Sequence, residues 1–413
     1  MRKVVPFFAG VLLAAFIGAA GQYQPVAPAA DAPTATPGAL VAMAPTPTAA
    51  QPPPPTPTAQ PSSQATETPA PPATPHPLPT ATPQPQAAQD PLAGWGWKGM
   101  TVSPMREGFF TSQEFKESID SIAALHVDSI ALVIPYTQSG LRSTEVRRTY
   151  NTPTDAELAF AIDYVHAKGM KVMLKPHLRA ADGTWQLHID PPNRAAWFKS
   201  YGAIIKGYAR IGEEHKVEVI SIGAEMLSLT SELHNKSNTR YWTDLIKELR
   251  AIYSGKLTFS AHWGPGRELD EKAQIAFWPL LDYIGISAYF DFPTDGYSRE
   301  EVHAQWAEWE RTEVLPLQQR HNMPVIFTEV GYRSVSGTRL WPWDWTLGHV
   351  YDEEEQAALY DALFSYWSQR DYMKGAFIWE WRQNFPPGNT YYAVKGKLAE
   401  GVIGRWFGEK GGK

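Results

Sequence analysis

The chain has 413 residues, 43% of them hydrophobic, which is enough apolar material for one large domain or two ordinary ones. The formal net charge is −6 and no run of Lys or Arg follows the first three residues, which argues against nucleic acid or an anionic membrane surface as a partner. The absence of cysteine excludes disulfides and thiolate metal sites.

Residues 1–23 have the layout of a secretory signal peptide. Two basic residues precede an apolar run from Val4 to Ala20, and Gly18-Ala19-Ala20 is a possible cleavage site. The run is also near the lower length limit of a membrane span, so an uncleaved anchor is the alternative. In both cases we expect the rest of the chain to be secreted or tethered to the outer cell surface.

Residues 24–90 form a Pro/Thr-rich segment that holds 20 of the 36 prolines. Its charged side chains are Asp31, Glu67 and Asp90. Proline fixes φ and removes a hydrogen-bond donor, and little in this stretch could form a core, so the segment is predicted to be an extended, disordered linker. It would either hold a domain away from the cell envelope or act as a passive spacer.

Residues 91–413 have a globular composition in which apolar runs of strand length alternate with longer amphipathic segments. The eight strand candidates are residues 98–103, 127–136, 171–177, 217–225, 256–262, 281–289, 324–329 and 375–381. Their nearly continuous Val, Ile, Leu and Phe content is typical of parallel strands that are covered on both faces.

Helix signals lie between these strands. Three capping-box patterns predict helix starts at Thr111/Glu114, Thr154/Glu157 and Ser298/Glu301. Three glycines stand where a helix C-terminus favours them, namely Gly169, Gly255 and Gly375. Eight strand–helix units favour a (β/α)8 TIM barrel over a doubly wound sheet, which would carry a Gly-rich turn after its first strand where this chain has "TVSPMREG". Only "VIGRWF" is available for the eighth helix, which is predicted to be short or irregular.

The active site of such a barrel lies at the C-terminal ends of its strands. Strands three to seven end on His177, Glu225, His262, Tyr289 and Glu329 in that order, and the eighth ends on Trp379, Glu380 and Trp381. Carboxylates on strands four and seven form a pair across one mouth. Glycoside hydrolysis needs such a pair, one as acid/base and one as nucleophile or base.

Four stretches, "SIGAEM", "YIGISAYFDF", "FTEVGYRS" and "AFIWEW", resemble the clan A retaining glycoside hydrolases. Within that clan the chain is most similar, over residues 95–408, to glycoside hydrolase family 113, whose described members are β-1,4-mannanases. The resemblance implies that Glu225 is the acid/base and Glu329 the nucleophile. It also implies that Tyr289 hydrogen-bonds the nucleophile and that a tryptophan of strand eight, Trp379 or Trp381, forms the floor under the reacting sugar.

The sequence is compatible with more than one assignment at several positions. Ala224 occupies a position where much of the clan has an Asn that contacts the sugar 2-hydroxyl, which leaves the preference between gluco and manno sugars open. Glu380 could replace either glutamate, although alternation puts it on the opposite face from Trp379 and Trp381. His177 and His262 could be sugar ligands or core histidines.

Aromatic residues outside the strands suggest a carbohydrate groove. Trp341, Trp343 and Trp345 lie in the loop after strand seven, and Trp95 and Trp97 lie at the first strand. Flat indole faces suit the apolar faces of pyranose rings, so these side chains either contact sugar or pack inward.

The sequence therefore predicts a monomeric retaining glycosidase that acts on a β-linked polysaccharide, most simply an endo-β-1,4-mannanase. No HExxH or comparable spacing occurs, so we expect neither a catalytic metal nor a cofactor. The alternatives are another clan A activity, such as a β-glucanase or β-xylanase, and a barrel that binds polysaccharide without cleaving it.

Overall fold

A computed structural model describes residues 90–408 apart from residues 347, 349 and 387. The predicted signal or anchor segment, and all of the predicted linker before Asp90, lie outside the described residues. Within the described part of the chain, no helix combines the length and apolar character that a membrane span requires.

Eight parallel strands form a closed barrel. Each strand pairs with the next along the chain, and β1 pairs with both β2 and β8, which closes the ring. The strands are β1 (Trp97–Val102), β2 (Ser129–Gln138), β3 (Lys171–Ala180), β4 (Val219–Ala224), β5 (Lys256–His262), β6 (Ile284–Ser287), β7 (Val325–Val330) and β8 (Met373–Trp381). A two-residue strand, Arg147–Arg148, pairs antiparallel with the end of β2. The predicted barrel and its eight strands are confirmed.

Helices follow the strands and pack against the outside of the barrel. They are α1 (Gln113–Ala123), α2 (Asp155–Ala167), α3 (Arg194–Glu214), α4 (Leu227–Thr230), α5 (Asn238–Arg250), α6 (Glu271–Gln274), α7 (Arg299–Trp309), α8 (Leu315–His321), α9 (Glu353–Trp367) and α10 (Leu398–Gly408). A π-helical segment, Glu310–Val314, joins α7 to α8. Single 3₁₀ turns are found at Phe109–Thr111, Gln186–His188 and Trp278–Leu280.

Two of the three predicted capping boxes are present, at the starts of α2 and α7. The first prediction is wrong by one residue, because the N-cap of α1 is Ser112, whose hydroxyl accepts the Phe115 N–H at 3.2 Å. The hydroxyl of Thr111 instead donates to the carbonyl of Gly108 at 3.2 Å. Neighbouring hydroxyl residues compete for one cap, and the preceding 3₁₀ turn places Ser112 at the helix start.

Two predictions about the ends of elements need correction. Gly169 follows α2 with a φ of 76°, as a helix C-terminus requires, but Gly375 lies inside β8. A Cβ at Gly375 would collide with the carbonyl oxygen of Trp97 on β1, so close strand approach explains this glycine. The eighth helix, α10, is a regular helix of 11 residues.

A small apolar layer fills the barrel interior, and a charged residue stands above it. The layer consists of Trp97, Ala131, Met173, Val219, Ile326 and Phe377. Along β3, alternation sends Val172 and Leu174 outward and Met173 and Lys175 inward. Trp95 and Trp97 are both buried, which confirms the inward-packing alternative for this pair.

Candidate active site

A β-bulge aims the first candidate glutamate into the barrel. Ile286 of β6 pairs with Phe327, but the next residue, Ser287, pairs with Glu329, so Thr328 is an extra residue on β7. Phe327 packs in the outer core, and strict alternation would put Glu329 on that same outer side. Because bulges re-aim side chains, the extra residue turns Glu329 toward the barrel axis.

A second bulge precedes the other candidate glutamate. Ser221 of β4 pairs with Thr258, whereas Ala224 pairs with Ser260, so β4 also carries one extra residue. The Glu225 N–H donates to the Ser260 carbonyl at 2.9 Å, and its φ is 51°. This left-handed conformation costs a non-glycine residue about 1–3 kcal/mol, a kind of strain that clusters at active sites.

The Glu329 carboxylate has two partners, one from β3 and one from the segment after β6. Lys175 Nζ of β3 forms an ion pair with Oε1, and the Tyr289 hydroxyl donates to Oε2 at 2.8 Å. Lys175 is fully buried and Glu329 is only 5% exposed. An ionised carboxylate at this depth costs several kcal/mol unless it is paired, and the two partners supply that compensation. The contact that the resemblance implied between Tyr289 and Glu329 is therefore present.

Glu225 has a very different electrostatic environment. Burial raises its pKa to about 8, and the negative charge of Glu329 is the next largest cause, so the two carboxyl groups lie within electrostatic reach of each other. Gln186 donates its amide to Glu225 at 3.1 Å, and the indole of Trp185 lies near enough to lower its pKa slightly. At neutral pH Glu225 consequently holds a proton. This carboxyl group can donate that proton to the leaving oxygen of a bond that is cleaved beside Glu329.

Trp379 is the strand-eight tryptophan that lies at this site. Its ring is 5.8 Å from Lys175 Nζ and packs edge-on against the His177 ring at 6.1 Å between centroids. Burial, and then the charge of Lys175, hold the pKa of His177 well below its usual range, so this imidazole is neutral at physiological pH. Trp381 is 1% exposed within the outer core, and its indole donates to Gln383 at 3.1 Å. The structure does not bring Trp381 to the site.

The register of β8 explains why its two tryptophans separate. Ile378 pairs with Met100 of β1, but Trp381 pairs with Val102, so alternation breaks between them. Glu380 is occupied by an ion pair with Arg382 at 2.7 Å and accepts the hydroxyl of Ser103 at 3.2 Å. Its contacts therefore differ from those of Glu225 and Glu329.

His262 lies at the end of β5, on the side of the site that carries Glu225. Its ring packs against Trp185 at 5.0 Å, and burial lowers its pKa to about 4. Trp185 is 40% exposed and also contacts the His188 ring at 5.5 Å. His262 thus supports a tryptophan that reaches both Glu225 and solvent.

The tryptophan-rich loop after β7 is exposed and is attached close to Glu329. Trp341, Trp343 and Trp345 are 46%, 48% and 74% exposed. The carbonyl of Pro342 accepts the Tyr392 hydroxyl at 2.6 Å, and the Tyr392 ring packs edge-on against Tyr289 at 6.1 Å. Contact between Trp343 and a sugar stays a prediction.

Three residues of the site were missed by sequence reasoning. Lys175 interrupts the apolar run of β3 at an inward position, and that was a usable signal because a lysine is almost never fully buried without a partner. Trp185 and Gln186 lie on the loop after β3, where no pattern marks them. Among the described residues, no group of three or more His, Asp or Glu side chains is placed to hold a metal ion.

Comparison with known proteins agrees with this geometry. The sequence model of Glycoside Hydrolase Family 113 matches residues 94–397. A GH113 β-1,4-mannanase structure is 27% identical, with a TM-score of 0.66 over 76% of this chain and 99% of that one. The GH113 β-mannanase AaManA from Alicyclobacillus acidocaldarius is 26% identical, with a TM-score of 0.64 over 76% of this chain and 97% of that one.

More distant structures share the fold alone. A β-glucuronidase from Ruminococcus gnavus is 12% identical, with a TM-score of 0.51 over 75% of this chain and 50% of that one. No curated protein matches the sequence significantly. The family match spans most of the chain and all eight strands of the barrel. The chain is a glycoside hydrolase that belongs to family 113.

Proposed function

We propose that this glycoside hydrolase is a retaining endo-β-1,4-mannanase in which Glu329 is the nucleophile and Glu225 the acid/base. The observation that carries the assignment is the unequal environment of the two carboxyl groups. Glu329 pairs with Lys175, whereas burial and the charge of Glu329 raise the pKa of Glu225 to about 8. A retaining mechanism needs one ionised and one protonated carboxyl group at the start of the reaction.

In the first step, a Glu329 oxygen bonds to the anomeric carbon as the bond to the leaving oxygen breaks. Glu225 transfers its proton to that oxygen, so the leaving sugar departs as a neutral alcohol. The Tyr289 hydroxyl holds the nucleophile in place, and Trp379 provides an indole surface beside Lys175. The product is a glycosyl ester of Glu329.

The second step uses the same two residues with reversed protonation. Once Glu329 is an ester, its negative charge no longer raises the pKa of Glu225. Glu225, which has given up its proton in the first step, therefore stays ionised in the intermediate and is in the form that a general base requires. It removes a proton from water, whose oxygen bonds to the anomeric carbon and releases Glu329, and the anomeric configuration is retained.

Support for mannan as the substrate comes from the solved GH113 structures, which are β-mannanases. Ala224, directly before Glu225, keeps β-glucanase and β-xylanase activity open, because the Asn that much of the clan uses to bind the sugar 2-hydroxyl is missing. We propose His177, His262 and Trp343 as further sugar contacts around the mouth. Incubation with mannan, glucomannan, xylan and cellulose oligosaccharides, followed by measurement of new reducing ends, distinguishes these substrates.

Azide rescue tests the roles of the two glutamates. Glu225→Ala should be slow on oligosaccharides yet still form the glycosyl-enzyme from aryl glycosides, and azide should then speed turnover and yield a β-glycosyl azide. Glu329→Ala with azide should give the α-azide by a single displacement. Glu380→Ala is the matched control and should yield neither azide product.

Near-normal hydrolysis by both Glu225→Ala and Glu329→Ala would show that this pair is wrong. Azide products from Glu380→Ala would transfer one of the roles to Glu380. Binding of mannan by the parent protein without any release of reducing ends would indicate a barrel that only binds polysaccharide.

We also propose that the enzyme acts outside the cytoplasm as a monomer, secreted or held at the outer cell surface by its N-terminal segment. The supporting observations are the signal-like residues 1–23 and the proline-rich residues 24–90. Fractionation of the producing cells into medium, envelope and cytoplasm would locate the full-length chain, and appearance in the cytoplasm alone would contradict the proposal.

A further inference from the structure

Glu271 is a completely buried acid that is absent from the two-glutamate mechanism. It is the first residue of α6, in the connection after β5, and its exposed fraction is 0%. Burial raises its pKa to about 7. Burying a carboxyl group costs free energy unless its oxygens are hydrogen-bonded, so the partners of this side chain indicate what it stabilises.

The partners of Glu271 lie at the end of β5 and in the segment that follows β4, which includes α4. Oε1 accepts the Met226 N–H at 2.8 Å and the Thr230 hydroxyl at 3.0 Å, and Oε2 accepts the His262 N–H at 2.8 Å. Met226 directly follows Glu225, and His262 carries the ring that packs against Trp185. One side chain therefore joins the two strand ends that border the acid side of the mouth.

The bond to Met226 acts on the strained part of the backbone. Glu225 has a φ of 51°, and the peptide that follows it donates its N–H to Glu271. Without a fixed acceptor for that N–H, the backbone of Glu225 would be free to relax toward an ordinary conformation. That change would turn the Glu225 side chain away from Glu329. We propose that Glu271 is a positioning residue that aims Glu225 at the leaving oxygen; this inference rests on the proposed acid/base role of Glu225.

The charge of Glu271 also favours the acid role of Glu225, because it raises the pKa of that carboxyl group. The groups that face Glu225 are Glu329 from β7, Lys175 from β3 and Glu271, and both acids raise the pKa of Glu225 whereas the lysine lowers it. With its own pKa near 7, Glu271 is mostly ionised at the pH where Glu225 titrates. Removal of its charge should therefore lower the pKa of Glu225.

Leaving-group dependence separates a positioning role from a merely structural one. We expect Glu271→Gln to reduce kcat/KM on mannotetraose by roughly 10- to 100-fold, because misplacement of a catalytic group by a fraction of an ångström has effects of this size. On 2,4-dinitrophenyl β-mannobioside, whose leaving group needs no acid, the reduction should stay below about 3-fold. The basic limb of the mannotetraose profile should move to lower pH.

Glu355→Gln is the matched control. Glu355 is also 0% exposed and accepts two loop N–H groups, from Gly337 at 2.8 Å and Arg339 at 2.9 Å, but these lie after β7. We expect this variant to lose stability and to leave the basic limb of the mannotetraose pH profile where the parent has it, because the partners of Glu355 lie after β7. A shift of that limb to lower pH, as expected for Glu271→Gln, would mean that any buried acid produces it and would overturn the inference.

Glu225→Ala, measured beside these variants, distinguishes the inference from the function on which it depends. Near-normal rates of Glu225→Ala on both substrates would overturn the acid assignment and the inference together. A selective loss in Glu225→Ala with equal losses in Glu271→Gln would overturn the inference alone. If Glu271→Gln does not fold, Thr230→Val removes one donor to Glu271 and should show the same selectivity at about 3-fold; equal losses there would likewise overturn the inference.

Discussion

Replacement of Glu225 by Gln should make the folded protein more stable at neutral pH while it removes acid catalysis. Burial and Glu329 raise the pKa of Glu225 from 4.5 to about 8. In the unfolded chain this carboxyl group ionises near pH 4.5, whereas in the folded chain it ionises only near pH 8. In the parent, the protonated Glu225 therefore makes its full contribution to the unfolding free energy below about pH 4.5. This contribution is lost as the pH rises toward 8.

The size of the effect follows from the span of that titration. Each pH unit between the unfolded and folded pKa values is worth about 1.4 kcal/mol, so about 3 kcal/mol is lost by pH 7. Gln does not titrate, and it can still accept the amide of Gln186. The difference in unfolding free energy between Glu225→Gln and the parent should thus grow by about 3 kcal/mol from pH 4 to pH 7.

Urea unfolding at several pH values between 4 and 8 measures this difference directly. Glu107→Gln, at an exposed position, is the control and should shift stability by the same small amount at every pH. A stability difference for Glu225→Gln that stays constant across the range would show that the fold does not hold Glu225 protonated. The physical basis for its acid role would then be wrong.

Four further predictions concern Lys175, the pH profile, Trp343 and the N-terminal segment. Lys175→Met should destabilise the protein by about 3–5 kcal/mol in urea unfolding, because Glu329 is left buried without its cation, and the acid limb of the rate profile should move to higher pH. The parent's kcat/KM on oligosaccharide should follow a bell-shaped pH profile whose basic limb lies near pH 8, set by Glu225, and prolonged chelation should leave the rate unchanged. Trp343→Ala should weaken binding of long oligosaccharides in calorimetry by about 1–2 kcal/mol and leave aryl glycoside hydrolysis nearly unchanged. A chain that begins at Pro91 should keep its activity on soluble oligosaccharides, measured as reducing ends, because nothing in residues 24–90 can complete a core.

The eight strands were predictable because a parallel barrel leaves a direct trace in the sequence. Both faces of each strand are covered, so the apolar runs are continuous and their ends mark the mouth. The position of Glu225 and Glu329 at those ends was predictable from the apolar runs alone. Element boundaries shifted by a few residues, since neighbouring cap residues such as Thr111 and Ser112 offer the backbone equivalent partners.

The orientation of side chains at the mouth was less predictable, because it depends on local breaks in alternation. The bulge at Thr328 and the register shift that separates Trp379 from Trp381 each change which face a side chain occupies. An extra residue in one strand is visible only against its paired neighbour. Period-two alternation therefore predicted that Trp379 and Trp381 share one face. In the structure, Trp379 lies beside Lys175 whereas Trp381 is buried in the core.

The difference between the two glutamates comes from a third residue. Glu225 and Glu329 are the same amino acid, both follow a bulge, and the charge of Glu329 raises the pKa of Glu225. Lys175 breaks this symmetry, because its ammonium group pairs with Glu329 and lowers the pKa of Glu225 by less than Glu329 raises it. The negative charge of Glu329 then helps to keep Glu225 protonated. Glu329 is stable at the end of an apolar strand because the buried Lys175, on the facing strand β3, forms an ion pair with it.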